Sequence, residues 1–147
     1  MRLWMRLDIR KWLVKIVIVN SRPAFKNYVP GIAWFFVVLF LICLPGNTLP
    51  KVDDWFHKIY FDKWIHTGMF GLLCILFCFP YRIVDISRSR KVKYFILVAI
   101  CVSGFGYMTE LIQKYWIPGR AYELLDWAAD SLGALIGLLF SRFYFTR

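Results

Sequence analysis

Charged residues in this chain of 147 amino acids are grouped so that long apolar stretches remain between them. The clearest stretch runs from Asn27 to Pro50 without a charged side chain. A helix that crosses the hydrocarbon core of a bilayer, about 30 Å thick, needs about 20 mostly apolar residues. Hydrophobic residues make up 60% of the chain, against roughly 45–50% in soluble domains, which is more than so small a core can bury. The sequence therefore predicts a small, all-α integral membrane protein.

Four stretches reach the length of a membrane-spanning helix. We predict these spans at 30–49, from 63 or 64 to 81, at 94–113 and at 124–145. The fourth stretch reaches this length only if it carries Asp126 and Asp130 near one end and Arg142 near the other. The prediction is a polytopic membrane protein whose four-transmembrane-helix bundle occupies 30–147.

Lysine and arginine are distributed unevenly between the two sides of this predicted bundle. The amino-terminal segment, the loop after the second span and the carboxyl-terminal tail carry fourteen basic and two acidic residues. The other two loops and their helix ends carry five basic and seven acidic residues. Because basic residues favour the cytoplasmic side, we expect both termini in the cytoplasm and the protein in the cytoplasmic (inner) membrane of a bacterium. This distribution accounts for the net charge of +10 without nucleic-acid binding.

The amino-terminal segment 1–29 has a different pattern from the spans. Arg2, Arg6 and Arg10 recur every four residues, and apolar side chains follow helical spacing on a neighbouring face. A basic amphipathic helix of this kind lies in the membrane interface, with its charges toward anionic lipid. We therefore predict a cytoplasmic interfacial helix here, with a loosely ordered basic tail as the alternative.

Polar residues gather at the predicted outer ends of spans two, three and four. Several pairs share a helical face at i, i+3 or i, i+4 spacing. A short turn containing Pro118 and Gly119 joins spans three and four. The candidate binding residues are Lys63, His66, Glu110, Gln113, Arg120, Asp126 and Asp130.

The acidic members of this set lie within spans, where a charge is unfavourable. A carboxylate at the bilayer centre costs about 2.5–3.5 kcal/mol on insertion scales. We therefore expect His66, Glu110, Asp126 and Asp130 to face the bundle interior, with Lys63 and Arg120 as their cationic partners. Gly133 and Gly137 continue the stripe of Asp126 and Asp130 and favour close helix packing, within the chain or between copies.

Three interpretations of the cluster remain open. The first is a structural network in which Arg120 forms a bidentate clamp with Asp126 or Glu110. The second is a binding site for an anionic or hydroxyl-rich lipid headgroup, contacted by Lys63, Arg120 and Gln113. The third is catalysis, in which His66 is the general base oriented by a carboxylate, or Glu110 is the acid. Asp126 is a further catalytic candidate.

A metal site formed by histidine and carboxylates is a variant of the catalytic interpretation. The sequence contains no His-x-x-x-His or Glu-x-x-His unit, so we predict neither a metal nor another cofactor. Tryptophans at the predicted outer boundary are expected to anchor the protein at the headgroup level. They are Trp55, Trp64, Trp116 and Trp127.

The polar residues belong to a longer pattern that resembles the VanZ-like family of bacterial membrane proteins. Its first half is LPGNTLP at 44–50, then DKWIH at 62–66 with Phe70 and Leu72. Its second half is ELIQ at 110–113, PGR at 118–120 and DWAADSLG at 126–133, with Gly137. These motifs occur in order over 30–141. At the position of Asp130 many members of the family have Asn, so we expect Asp130 to be protonated or tightly paired here.

The resemblance implies a four-helix bacterial membrane protein. The family's namesake is associated with low-level resistance to teicoplanin, a lipid-tailed glycopeptide antibiotic, and the resemblance extends this link to the chain as an expectation. Our favoured hypothesis is an envelope protein that binds a lipid-linked precursor, a glycolipid or another amphiphilic headgroup, or docks a partner in envelope assembly. The alternative is a membrane enzyme that transfers or hydrolyses such a headgroup with His66, Glu110 and Asp126.

Overall fold

The computed structural model describes residues 22–45 and 60–147. Within these two ranges the protein is helical and contains no β-strand, so the all-α prediction is confirmed there. Short 3-10 turns at Phe25–Tyr28 and Phe79–Ile83 adjoin the longer helices. The α-helices are α1 (Val29–Ile42), α2 (Phe61–Cys78), α3 (Arg88–Trp116) and α4 (Leu124–Tyr144).

Four helical segments of the described chain are long and apolar enough to cross a membrane. They are Phe25–Ile42, Phe61–Ile83, Arg88–Trp116 and Leu124–Tyr144. The protein therefore has the architecture of a multi-pass membrane protein, as the sequence predicted.

Two predicted boundaries were wrong by several residues. The first span was predicted to reach 49, but α1 ends at Ile42 because the chain turns at Cys43 and Leu44. Helix α3 begins six residues before the predicted 94, because the basic residues at 88–93 extend the helix beyond the apolar stretch from which the span was predicted. The predicted interfacial helix falls mainly on residues 1–21, which lie outside the described residues, and Phe25–Tyr28 already leads into α1.

Helices α2 and α4 form the most extensive contact in the bundle. Gly133 of α4 lies against the backbone of α2 at Thr67, and Gly137 packs on Gly71 and Cys74. A Cβ atom added at Gly137 would lie 2.7 Å from the carbonyl oxygen of Gly71. The two glycines of the predicted small-residue stripe are therefore used for packing within the chain.

Helices α1 and α3 complete the bundle around this pair. Helix α3 packs mainly on α4, and α1 packs mainly on α2. The Trp34 indole of α1 donates a hydrogen bond of 3.0 Å to the carbonyl oxygen of Met69. Phe70, Leu73 and Phe95 are fully or almost fully buried in the apolar core between the helices.

The chain passes back and forth, so alternate helix ends meet at the two ends of the bundle. The polar end is formed by the last turn of α1, the first turns of α2 and α4, the last turns of α3 and the turn at 117–123. At the opposite end, Lys91 of α3 is buried and donates hydrogen bonds to the carbonyl oxygens of Arg82 and Phe145, at 3.2 and 3.5 Å. Phe145 follows α4, where helix carbonyls without intrahelical partners favour a cation.

Candidate functional site

Lys63, in the first turn of α2, is surrounded by carboxylates at the polar end. Its ammonium group lies 2.6 Å from Asp62 and 2.7 Å from Glu123, and it also contacts Asp126. The side chains of Lys63 and Asp126 are only 15% and 9% exposed. Because three carboxylates already surround this ammonium group, an anionic ligand that approached Lys63 would be repelled by them.

His66 lies one turn deeper in α2 and joins it to α4. Its Nδ1 atom is 2.9 Å from Oδ1 of Asp130, whose side chain is fully buried. The other ring nitrogen, Nε2, lies 4.0 Å from Oδ2 of Asp126. Asp130 fits here because the facing residue of α3 is Gly106, where a Cβ atom would come within 2.7 Å of Oδ2 of Asp130.

Glu110 of α3 is also fully buried. Its Oε2 atom accepts a hydrogen bond of 2.9 Å from the backbone N–H of Glu123, directly before α4. A carboxylate in this position satisfies a helix-terminal N–H group and interacts favourably with the positive end of the helix dipole. Among the described residues, Oε1 of Glu110 has no hydrogen-bond partner, and neither does Oδ2 of Asp130.

Gln113, one turn further along α3, holds the end of α1 in place. Its amide donates a hydrogen bond of 3.3 Å to the carbonyl oxygen of Ile42, the last residue of α1. Carbonyl groups in the last turn of a helix lack intrahelical partners. Gln113 therefore connects α1 to the three helices that carry the acidic residues.

Arg120 is positioned by a tight turn after α3. Its backbone N–H donates to the carbonyl oxygen of Ile117 at 3.3 Å, and Gly119 has a φ of 75°. Proline at the second position of a turn and glycine with positive φ at the third are typical of a type II turn. The predicted break at Pro118 and Gly119 is confirmed.

The predicted clamp between Arg120 and Asp126 or Glu110 does not form. Within the described part of the chain, Arg120 makes no ion pair, and its buried Nε atom has no hydrogen-bond partner. Lys63 already binds Asp126, and the carboxylate of Glu110 accepts the N–H of Glu123. Arg120 therefore remains available to an anionic group from outside the protein.

A cavity of about 270 Å³ opens beside Arg120. Arg120, Gln113, His66 and Asp62 provide its polar groups. Its remaining lining residues are apolar and come from α1, the segment after it and α2: Leu41, Ile42, Leu44, Ile65 and Met69. The cavity thus has a charged part next to an apolar wall, which is the arrangement that an amphiphilic ligand requires.

The hydroxyl groups near the cluster are already engaged. Thr67 lies within hydrogen-bond distance of the carbonyl oxygens of Lys63 and Ala129, at 2.9 and 3.1 Å. Thr109 donates to the carbonyl oxygen of Gly106, and Ser131 bonds to Ser103 across α3 and α4. In these bonds none of the hydroxyls is paired with His66 or with a carboxylate, the partner that would activate it as a nucleophile.

Within 22–45 and 60–147, two groups of side chains have the ligand types and proximity for a cation. His66, Glu110 and Asp130 come from three different helices, and their ligand atoms lie within 4.8 Å of one another. Asp62, Glu123 and Asp126 form the second group, but Lys63 already bridges all three acids. The first group is the stronger candidate, since it has no such cation among the described residues.

The predicted tryptophan anchors differ in their surroundings. Trp64 and Trp116 are 65% and 74% exposed, as an interfacial anchor requires. Trp127 is half-buried, and its indole N–H donates to the carbonyl oxygen of Ser103 at 3.2 Å. Trp127 therefore joins α4 to α3 through a hydrogen bond, while Trp55 lies outside the described residues.

The structure brings the seven predicted site residues to one end of the bundle, but it divides them by role. Lys63 and Asp126 belong to the ion-pair network, whereas Arg120, Gln113 and His66 line the cavity. Two roles were not predicted from the sequence, namely Asp62 as a partner of Lys63 and Gly106 as the residue that makes room for Asp130. Asp62 directly precedes Lys63, but no sequence signal relates Gly106 to Asp130.

In comparisons with known proteins, no family model, no curated protein and no solved structure matches this chain.

Proposed function

We propose that this protein is a VanZ-like envelope protein of the bacterial inner membrane that binds an amphiphile with an anionic headgroup beside Arg120. The observation that carries the proposal is the position of the guanidinium group of Arg120 and its lack of a partner within 22–45 and 60–147. The group borders the cavity, and its Nε atom is buried without a hydrogen-bond partner among the residues described. A buried donor left unsatisfied costs about 1–3 kcal/mol, and an anionic ligand that draws the guanidinium group toward the cavity would satisfy it with a charge-assisted hydrogen bond.

The volume and the apolar lining of the cavity favour a headgroup with an attached acyl or prenyl chain. Ligand pockets for drug-sized molecules measure about 300–1,000 Å³, so a cavity of about 270 Å³ has room for a headgroup and not for a whole lipid. Met69 and Ile65 contribute apolar surface next to Arg120. The first carbons of the lipid tail would contact this surface, while the rest of the tail stays in the bilayer.

The charge distribution supports a location in the outer leaflet. The fourteen basic residues at the two termini and in the loop after α2 favour the cytoplasmic side for the end opposite the polar end. The cavity would then open toward the side where envelope lipids and lipid-linked precursors are used. Both termini would lie in the cytoplasm.

Native mass spectrometry of the purified full-length protein in neutral detergent tests the proposal. The probes are phosphatidylglycerol and diacylglycerol with identical acyl chains, so that only the first carries a phosphate. We expect about tenfold tighter binding of the anionic lipid, since a hydrogen bond to a charged group contributes about 1.5–3 kcal/mol.

The matched variants are Arg120→Gln and Lys114→Gln. Lys114 is an exposed cation at the same end of the bundle, close to the Tyr115 ring and outside the cavity. Arg120→Gln should abolish the preference for the anionic lipid, and Lys114→Gln should retain it. Equal binding of both lipids by the unaltered protein, or an unchanged preference in Arg120→Gln, would contradict the proposal.

A second candidate function is hydrolysis of the bound headgroup, and the His66–Asp130 pair favours it. His66 lines the same cavity as Arg120, and Asp130 fixes its Nδ1 atom at 2.9 Å. A histidine oriented by a carboxylate is suited to activate water as a general base. Mass spectrometry of the lipid after incubation with the protein tests this function. Cleaved lipid that is lost in His66→Gln supports hydrolysis, and intact lipid contradicts it.

A further inference from the structure

His66, Glu110 and Asp130 form a compact group at the polar end, and each comes from a different helix. Their ligand atoms lie within 4.8 Å of one another, and all three side chains are buried. Ligand atoms around a tetrahedral Zn²⁺ with bonds of about 2.0–2.1 Å are roughly 3.3 Å apart. The group would therefore need to contract by about 1.5 Å at most to surround an ion, which side-chain rotation can supply.

Two carboxylate oxygens in this group point to a missing positive partner. Glu110 and Asp130 are fully buried, yet in the described ranges Oε1 of Glu110 and Oδ2 of Asp130 have no hydrogen-bond partner. Most buried polar atoms in proteins are hydrogen-bonded, and an unsatisfied one calls for an explanation such as an ion or a water molecule. Because two such oxygens lie next to one histidine, a bound cation is a better explanation than a water molecule.

The charge balance of the polar end leads to the same conclusion. Five carboxylates from the described residues meet there: Asp62, Glu110, Glu123, Asp126 and Asp130. Lys63 is the cation that pairs with three of them, and Glu110 and Asp130 make no ion pair with Lys or Arg in the part of the chain that the structure describes. Buried charges are normally paired or coordinate a metal.

The three side chains are also held in position before any ion arrives. Glu110 is fixed by the backbone N–H of Glu123, and a hydrogen bond of 2.9 Å holds Asp130 to His66 until an ion takes the place of the proton between them. The bond to Glu110 is of the kind that orients metal ligands in known sites. His66 also borders the cavity, which provides a path for entry and space for a water molecule as the fourth ligand.

We infer that His66, Glu110 and Asp130 bind one divalent transition-metal cation, with Zn²⁺ as the ion that best fits one imidazole and two carboxylates. Imidazole favours transition metals over Mg²⁺ and Ca²⁺, whose preferred ligands are oxygens. Three protein ligands with an open fourth position are typical of catalytic zinc sites rather than structural ones. The site borders the same cavity as the lipid-binding proposal through His66, but Arg120 is outside the ligand set, so the two proposals rest on different side chains and can fail separately.

Isothermal titration calorimetry with ZnCl₂ on the full-length protein, after removal of metals with a chelator, tests the inference. We expect one Zn²⁺ per chain and a higher melting temperature in the metal-bound form, because a ligand that binds only the folded state stabilises it. Asp130→Asn and His66→Gln should each weaken Zn²⁺ binding at least about tenfold, the loss that even the outer-shell partners of metal ligands cause. MgCl₂ should give no comparable binding.

Two controls separate this site from its neighbours. The double variant Asp62→Asn with Glu123→Gln alters the second acidic group, and it should retain Zn²⁺ binding. Arg120→Gln should also retain it, so loss of lipid binding and loss of metal binding can be told apart. Substitution with Co²⁺ adds a readout that misfolding does not mimic, namely visible absorption from a tetrahedral site that includes a nitrogen ligand.

Two results would overturn the inference. One is the absence of Zn²⁺ binding by the unaltered, folded protein. The other is Zn²⁺ binding that survives in Asp130→Asn and His66→Gln but disappears in the double variant, since the ion would then belong to the acidic group around Lys63.

Discussion

Asp130 of α4 lies 2.9 Å from Nδ1 of His66 in α2, on the helix pair that forms the main contact of the bundle. This hydrogen bond joins two buried side chains between segments that are apolar enough to cross a membrane. It therefore links the stability of the helix pair to the cavity that His66 borders.

Replacing Asp130 with leucine should destabilise the protein by about 1–3 kcal/mol, because His66 would lose its partner and remain buried with an unsatisfied nitrogen. Unfolding in mixed detergent micelles, followed by tryptophan fluorescence with a chelator present, measures the change. Asp62→Asn is the control, since Asp62 is 57% exposed, and it should change stability by less than about 1 kcal/mol. Equal stability of Asp130→Leu and the unaltered protein would mean that the His66–Asp130 contact contributes nothing.

Gly106→Ala should be destabilising, although alanine is the better helix former by about 1 kcal/mol. The new Cβ atom would lie 2.7 Å from Oδ2 of Asp130, so either Asp130 or α3 must shift. Gly104→Ala is the matched control in the same helix, because a Cβ there meets no described atom within 4 Å. In thermal unfolding, the melting temperature of Gly104→Ala should equal or exceed that of the unaltered protein, and the melting temperature of Gly106→Ala should be lower. The reverse order would show that Gly106 does not make room for Asp130.

Gly137→Ala should separate α2 from α4. Its Cβ would lie 2.7 Å from both the Gly71 carbonyl oxygen and the Cys74 Cβ atom, and backbone atoms cannot move aside as a flexible side chain can. Overpacking of this kind typically costs about 1–3 kcal/mol. Gly68→Ala, which meets no described atom within 4 Å, should be tolerated. If both variants melt at the same temperature, the close approach of α2 and α4 at Gly137 does not contribute to the stability of the protein.

Lys63→Met should leave Asp62, Glu123 and Asp126 without their shared cation. Because the Lys63 and Asp126 side chains are mostly buried, the loss should lie between the roughly 1 kcal/mol of an exposed pair and the about 3–5 kcal/mol of a buried one. A second change, Asp126→Asn in the Lys63→Met background, should recover part of this stability. If the double variant loses more free energy of unfolding than the two single variants lose together, Lys63 and Asp126 do not stabilise each other as the network requires.

The four spans could be predicted because hydropathy is a local property of the sequence, and charged residues mark most ends of the apolar stretches. The end of α1 was missed because the prediction followed charge and hydropathy, and the residues from Cys43 to Pro50 carry no charge. Pro45 and Gly46, which favour a turn, were the signal for an earlier end. The convergence of His66, Glu110 and Asp130 could be predicted, because a charged side chain within a span is stable only where it faces the bundle interior.

The partners within the cluster could not be predicted from spacing. Lys63 and Arg120 were both expected to pair with acids, and the outcome depends on distances between helices. Lys63 lies in the first turn of α2, next to the start of α4, so it reaches Glu123 and Asp126. Arg120 follows the type II turn and lies at the cavity instead. The convergence of His66, Glu110 and Asp130 was expected, but no metal was predicted for them, since ligands from three helices leave no motif within any one of them.

The most direct test of anionic headgroup binding is an experimental structure of the protein in lipid nanodiscs that contain phosphatidylglycerol. Our account predicts density for the phosphate in the cavity, within about 3 Å of the guanidinium group of Arg120, and the adjacent lipid chain against Met69 and Ile65. A cavity without lipid in which Arg120 pairs with a carboxylate of the protein would contradict it.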